Sequence, residues 1–475
     1  MAFCNPFRRI QNSRTARAHG WRRSFVFATS IIAALCATIQ PTLAQDIAVI
    51  RDTEIERVLR SYEEPLLVAA GIDPHTVKLY LIQDPSINAF ATQSPIDADS
   101  EDIFINTGTF MQLTSPNQII GILAHETGHI AGGHMLRSAD AMRKASIPML
   151  IGMVVGIAAM VAGAGDAGMG AIMLGQQAAM SQFMAFSRVQ EATADQMGQK
   201  FLLATHQSGD GMVQVFQKFA NEDAMAGAYN HDFISDHPAD RERIDLLQRE
   251  ADLSPYKNKP DSPEVVHEFH MIQAKLAGYI SRPEAVLTRW PITDQSDEAH
   301  YARAMAYFRQ PDLQSALQEI NTLVKMDPNN PYFWEVLGQI QVDRSKPQLG
   351  VGPYQKAVDL LPSAPLLRID LAAAQLATEN PAYTKKAVAN LKIALDQENN
   401  NTFGWYEMAQ AYSDDNNKPM ADLSTAELHY QAGDMMGAMH FAGVAQHSLP
   451  KGSTDWQRAN DILAAAGPQM KQQRQ

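Results

Sequence analysis

Apolar residues Ile119, Ile120 and Leu123, continued by Thr127, fall at the three- and four-residue spacing of one helix face. Ser115-Pro116-Asn117-Gln118 marks where that helix begins: a cap, a proline at the first helical position and a glutamine that closes a capping box. A second helix is predicted over Ser187–Gly198, with Glu191 and Asp195 four apart on one face. Between the two lies Ala145–Gly165, a run of 21 residues without a charge. Beyond residue 265 the pattern repeats. Tyr307, Ala316 and Pro328 recur in role 34 residues later as Gln341, Gly350 and Pro362. Trp334, Leu337, Gly338, Tyr354 and Ala357 fill in the same unit. A third unit at Leu371, Ala372, Ala387 and Ala394 is stretched by an insertion near Asn380–Tyr383. Trp405, Tyr412 and Ala421 open a fourth, and Gly433, Ala438, Ala445 and Pro450 close the array. A 34-residue period of this kind predicts stacked helix pairs, none of which can bury its apolar face alone.

The 475 residues therefore divide. Residues 1–44 read as an export signal, with six arginines and no acid in the first 23 positions. An apolar stretch from Phe25 to Ile39 follows, and Thr42-Leu43-Ala44 offers a cleavage site before Gln45. Residues 45–250 form a first domain. Residues 251–264, rich in Pro, Lys, Asp and Ser, read as a linker, and the repeats occupy 265–467. Both cysteines, Cys4 and Cys36, lie inside the signal, so a mature chain has no disulfide and no competing thiolate. Without the signal the chain carries 33 basic and 52 acidic residues, a formal charge of −19. That surface repels nucleic acid and anionic lipid headgroups. The periplasm is the expected compartment.

The chemistry is concentrated in His125–His134, HETGHIAGGH. His125 and His129, four apart on a helix, can both reach one ion, with Glu126 beside them to take a proton from a bound water. This is the donor set of a water-activating zinc site, and it predicts a zinc hydrolase holding one Zn2+ per subunit. A third protein ligand is required. His134 stands one residue before the place where the metzincin pattern has its third histidine, which is Met135 here. On a continuing helix it would lie about 180° round from His125, as a surface or supporting residue. On the second helix, either Glu191 or Asp195 could ligate while the other contacts a ligand histidine or the reacting groups.

The segment Ser187 to Gly198, of the form S-R-x-x-E-x-x-A-D-x-x-G, lies downstream of H-E-x-x-H and resembles the gluzincin-type zinc metallopeptidases related to HtpX and the CAAX prenyl proteases. Asn88-Ala89-Phe90-Ala91 resembles that family's N-A-F-A segment. Phe104–Gly108 resembles its strand before the active-site helix, and Ser235-Asp236-His237-Pro238 with Arg243-Ile244 resembles its S-x-H-P-x-x-x-x-R-I signature. The acidic stretch Thr92–Asp102 departs from the usual glycine-rich one. The resemblance implies Glu191 as third ligand and Asp195 as a supporting or proton-donating residue. It also places His237 near the zinc, either as a fourth ligand that latches the site shut or as a group that orients a neighbour or binds substrate. The substrate would lie along the strand edge Asn88, Ala89, Phe90, Ala91.

The repeats resemble tetratricopeptide repeats. The whole layout is similar to the beta-barrel assembly-enhancing protease group. The expected fold is mainly α: a helical zincin-type protease domain with a small β-sheet, followed by an α-solenoid. The expected function is a periplasmic zinc endopeptidase in quality control or assembly of outer-membrane β-barrel proteins. The alternative is a chaperone or scaffold whose protease is largely latent. Expected partners are unfolded or stalled proteins and, through the repeats, the outer-membrane protein assembly machinery. Nucleic acid is not expected, and membrane contact at most peripheral. Because Ala145–Gly165 separates ligands that must meet at one ion, a single membrane crossing is excluded. A helical hairpin or lid buried beside the active site is expected there, with a peripheral membrane contact as the alternative.

Overall fold

The computed structural model describes residues 48–94, 100–161, 165–226 and 241–472. The proposed signal and His237 lie outside them. Two compact units share the chain: one holds Glu54–Ala306, and the described residues up to Thr53 together with the helices from Tyr307 onward make the other.

A short strand β1 (Val49–Ile50) comes before the first unit, whose own small sheet is built of β2 (Val77–Ile82), β3 (Ala89–Gln93) and β4 (Glu101–Asn106), in the order β2-β4-β3. β2 runs parallel to β4 and β3 antiparallel to it. The period-2 alternation of β4 buries Ile103 and Ile105 on one face and turns Phe104 to the other. Phe104 is in register with Tyr80 and Phe90, and each ring stacks on it at 5.2 Å between centroids. That aromatic row fixes the register. It leaves β3 as an edge strand.

Helices α1 (Thr53–Ala70), α2 (Thr107–Gln112), α3 (Pro116–Ala131), α4 (His134–Val161), α5 (Gly165–Ala204), α6 (Asp210–Ala226) and α7 (Arg241–Leu253) supply the rest. The start of α3 is capped differently from the expected box. Ser115 makes no side-chain cap bond. Gln118 Oε1 accepts instead from the Thr114 N–H at 2.8 Å, one residue further out. A carboxylate takes the orphan N–H of Asn117: Asp261 Oδ2, at 3.1 Å. The Pro- and Lys-rich segment is thus fastened to the first unit. Asn258 N–H donates to Asp210, and Lys259 Nζ donates to the His206 carbonyl.

Helix α8 (Pro263–Ile280) also packs within the first unit. Gln273 donates to the carbonyls of Phe110 and Leu113. Lys275, fully buried, meets Glu54 Oε2 at 3.1 Å, and the Tyr301 hydroxyl donates to the same oxygen at 2.7 Å.

In the second unit, several helices begin on prolines, and most are capped by asparagine or aspartate. Asn330 accepts from Tyr332 N–H, Asn380 from Ala382 N–H and Asn401 from Gly404 N–H. Gly338 lies under the Tyr354 ring, so the small residue of the repeat is a packing requirement. The extra residues of the third unit do not loop out. They lengthen its second helix, Pro381–Gln397, to 17 residues, against 14 for Pro347–Leu360.

Glu54→Ala removes the carboxylate that Lys275 and Tyr301 share inside the first unit. It is expected to cost about 3 kcal/mol, measured by urea unfolding, because a buried ammonium loses its counter-charge.

Candidate metal centre

The placement of the centre begins with two helices that touch at backbone level. At Gly128 on α3, a Cβ would overlap the Ala194 carbonyl oxygen on α5. At Gly198 on α5, a Cβ would press on the Ala124 carbonyl of α3. This crossing carries Glu191, one turn before Ala194, against the His125–His129 face. The H-E-x-x-H helix then stops one residue after Ile130. Gly133 takes φ of +60°, a left-handed conformation that ends α3 and lets α4 start at His134. The helix therefore does not continue through His134, and the ring is not on the far surface. His134 is buried and folds back under Gly132, where any Cβ would overlap it.

The result is a cluster in which one ligand atom each from His125, His129 and Glu191 lie within 4.8 Å of one another. His125 Nε2 is 3.1 Å from His129 Nε2. Glu191 brings one oxygen to within 3.4 Å of each imidazole. All three are buried. Two imidazoles and a carboxylate at this spacing suit a single divalent ion with a place left for water.

The outer nitrogen of each histidine is also held. Asp195 Oδ1 sits 2.9 Å from His125 Nδ1, and His134 Nδ1 sits 3.1 Å from His129 Nδ1. Such partners fix ring orientation and tautomer. Burial pushes the His134 pKa down, with Glu191 opposing, so the ring stays neutral and can accept the His129 proton. Arg243 grips Asp195 with Nε at 2.6 Å and Nη2 at 2.9 Å, and places Nη1 3.2 Å from Glu191. Its guanidinium stacks on Phe216, 4.8 Å from the ring centroid. Burial alone would raise the Asp195 pKa, but the bonds from His125 and Arg243 prevail and lower it. Burial would likewise lower the His125 pKa, yet Asp195 and Glu191 hold it up at about 9.

Glu126, buried beside the cluster, accepts from the Ala91 N–H of edge strand β3 at 3.1 Å. Asn88, one residue before β3, is locked by Thr109 and by the Asn106 amide. The structure thus brings together His125, Glu126, His129, Glu191, Asp195 and the Asn88–Ala91 segment. The sequence assigns Arg243 no role of its own and leaves His134 between a surface and a supporting one. His134 needed the glycine break after Ala131 to be recognised as a chain reversal, and Arg243 entered only as part of a signature.

Residues 51–251 match peptidase family M48, and residues 284–331 and 301–365 match a tetratricopeptide repeat. The chain carries an M48 peptidase domain followed by tetratricopeptide repeats. With that domain it is a metalloendopeptidase. It is similar to the beta-barrel assembly-enhancing protease of Yersinia pestis, 21% identical over 389 residues, covering 80% of this chain and 76% of that protein. A putative beta-barrel assembly-enhancing protease of Vibrio cholerae is 24% identical over 296 residues, 60% of this chain and 58% of its own length. A protease HtpX homolog of Streptococcus equi subsp. equi is 27% identical over 204 residues, 36% of this chain and 66% of its own length.

Gly128→Ala is expected to separate the M48 domain's α3 and α5, costing about 1–3 kcal/mol in urea unfolding. Its metal affinity should fall as well, because Glu191 rides on the displaced helix.

Proposed function

We propose that the chain is a zinc-dependent endopeptidase of the periplasm, acting in quality control or assembly of outer-membrane β-barrel proteins. The observation that carries the catalytic part is the position of Glu126, adjacent to the three-donor cluster and hydrogen-bonded to the edge strand. His125, His129 and Glu191 would hold Zn2+, which when bound polarises water and the scissile carbonyl. Glu126 takes the proton from the attacking water and returns it to the leaving amine. Asp195, kept ionised by Arg243, holds His125 in the tautomer that presents Nε2. A substrate strand pairs along β3, where main-chain hydrogen bonds give affinity with little sequence preference. The names of the relatives support the choice of substrate class, and the repeats supply a protein-binding surface for the assembly machinery. Residues 1–44 would be removed on export, with domains at 45–250 and 265–467 and a joining segment at 251–264.

A second reading, a chaperone or scaffold with a largely latent protease, is favoured by one observation. Every member of the cluster, Glu126 included, is buried, so the centre must open before it can work. His237 would then serve as the latch or as a substrate-orienting group. His237→Ala with raised basal casein cleavage identifies a latch; lost cleavage with zinc retained identifies the other role.

Glu126→Gln is expected to keep its zinc while losing at least 10²-fold in casein cleavage. Glu191→Gln should lose the metal. His134→Ala should keep the metal with roughly ten- to hundredfold weaker affinity, since it removes the acceptor behind His129. Unchanged cleavage by Glu126→Gln would sink the peptidase reading.

The metal-free centre carries a proton on His125, with a pKa held at about 9. Zinc must displace it, so apparent affinity should fall about tenfold for each pH unit below that value. Calorimetric titrations between pH 6 and 8, with proton release measured from the buffer dependence, check the sign.

A further inference from the structure

Helices α4 and α5, of 28 and 40 residues, form a hairpin whose outer part has no role in the metal centre. They meet along a seam where Gly152 and Gly175 place backbone against backbone. The expectation that the hairpin would be buried beside the active site is not met. Ile147, Leu150, Ile151 and Val154 on α4 are exposed. Asp166 is the sole charge between Lys144 and Arg188. Among the described residues no helix is long and apolar enough to cross a membrane.

Much of the exposed apolar surface of α5 is ordered, with Leu174, 68% exposed, lying off the row. Met169, Met173, Met180 and Met184 are 54%, 64%, 59% and 44% exposed. At 100° per residue the four fall within roughly 60° of arc, and Gly175, at the seam with α4, points the opposite way. Glu191 follows Met173 by 18 residues, which is about five full turns, so it returns to the same phase. The methionines and the metal-centre carboxylate therefore share one face of one continuous helix. At 1.5 Å per residue, Met173 stands about 27 Å from Glu191 and Met184 about 10 Å.

We infer that this methionine stripe is an accessory docking surface for apolar segments of the unfolded polypeptide substrate, aligned to lead them to the metal centre. The inference rests on the peptidase reading above. Unbranched, polarisable thioethers adapt to many side-chain shapes, as a surface receiving varied sequences requires. Exposed Gln176, Gln177 and Ser181 flank the stripe and keep it narrow. A narrow apolar track with amide margins suits one extended chain and is poorly suited to hydrocarbon, where unsatisfied amides are costly. Its continuity with Glu191 gives the track a direction.

The test uses the full chain carrying Glu126→Gln, so that nothing is cleaved, and reduced carboxymethylated α-lactalbumin with a fluorescein label as the probe. Met173→Gln, Met180→Gln and Met184→Gln together should weaken binding by about tenfold in anisotropy, roughly 1.4 kcal/mol. Leucine at the same three positions should restore it. In the active chain the glutamine triple should raise KM for the unfolded protein, leave kcat unchanged and leave cleavage of a short peptide at the wild-type rate. Equal affinity of the glutamine triple and its parent overturns the proposal, as does a parent that fails to bind the probe. Loss of flotation with phosphatidylethanolamine–phosphatidylglycerol vesicles, at unchanged lactalbumin affinity, gives the surface to lipid and also overturns it. A wild-type chain that binds the probe through the stripe but never cuts it would refute the peptidase reading while leaving the stripe in place.

Discussion

The backbone contact between α3 and α5 is the constraint on which the centre depends. The ligands come from positions 62 residues apart at their closest, and only helices packed at glycine distance can bring a short carboxylate to two imidazoles on the facing helix. Gly128 and Gly198 supply that approach from both sides. The cost is a glycine inside each of the two helices, each about 1 kcal/mol less favourable than alanine. The contact must offset that cost, and it does so by placing Glu191, Ala194 and Asp195 together on the buried face.

Packing alone would leave a buried group of like charges and bare imidazoles, so the second requirement is electrostatic. Arg243, from α7, lies against both carboxylates of α5 and is itself flanked by Phe216 of α6. One cation thereby balances two acids in a region that excludes water. His125 and His129 are each gripped from behind, by Asp195 and His134, so the ring edges that face the ion are oriented before it arrives. Metal binding to such a preset cluster need not reorganise the helices around it.

Much of this was legible in the sequence, for identifiable reasons. The H-E-x-x-H helix, its proline start, the i,i+4 pair Glu191/Asp195 and the 34-residue repeat are all local periodicities, and local periodicity survives folding. What was not legible depended on contacts across the chain. Asp261 caps a helix that begins 145 residues earlier, so no pattern around Ser115 could have named it. His134 was placed by assuming an uninterrupted helix; Gly133 breaks it, and the ring turns inward. The insertion near Asn380–Tyr383 was legible as a stretching of the third unit, but that it would lengthen the helix behind the Asn380 cap was not. The uncharged run was correctly folded into a hairpin but wrongly buried, because hydrophobicity reports a preference for leaving water and not the partner that satisfies it.

One contact at the centre has a consequence for how the molecule can be studied. The group that holds Glu126 is the Ala91 N–H, a donor that every residue except proline possesses. Side-chain substitution at position 91 leaves the donor in place, so an alanine or glycine scan passes over it silently. Sequence comparison is equally blind, since nothing about this donor constrains which of nineteen amino acids stands there. Its removal takes proline or a backbone ester, the latter exchanging a single N–H for oxygen while the strand keeps its side chains.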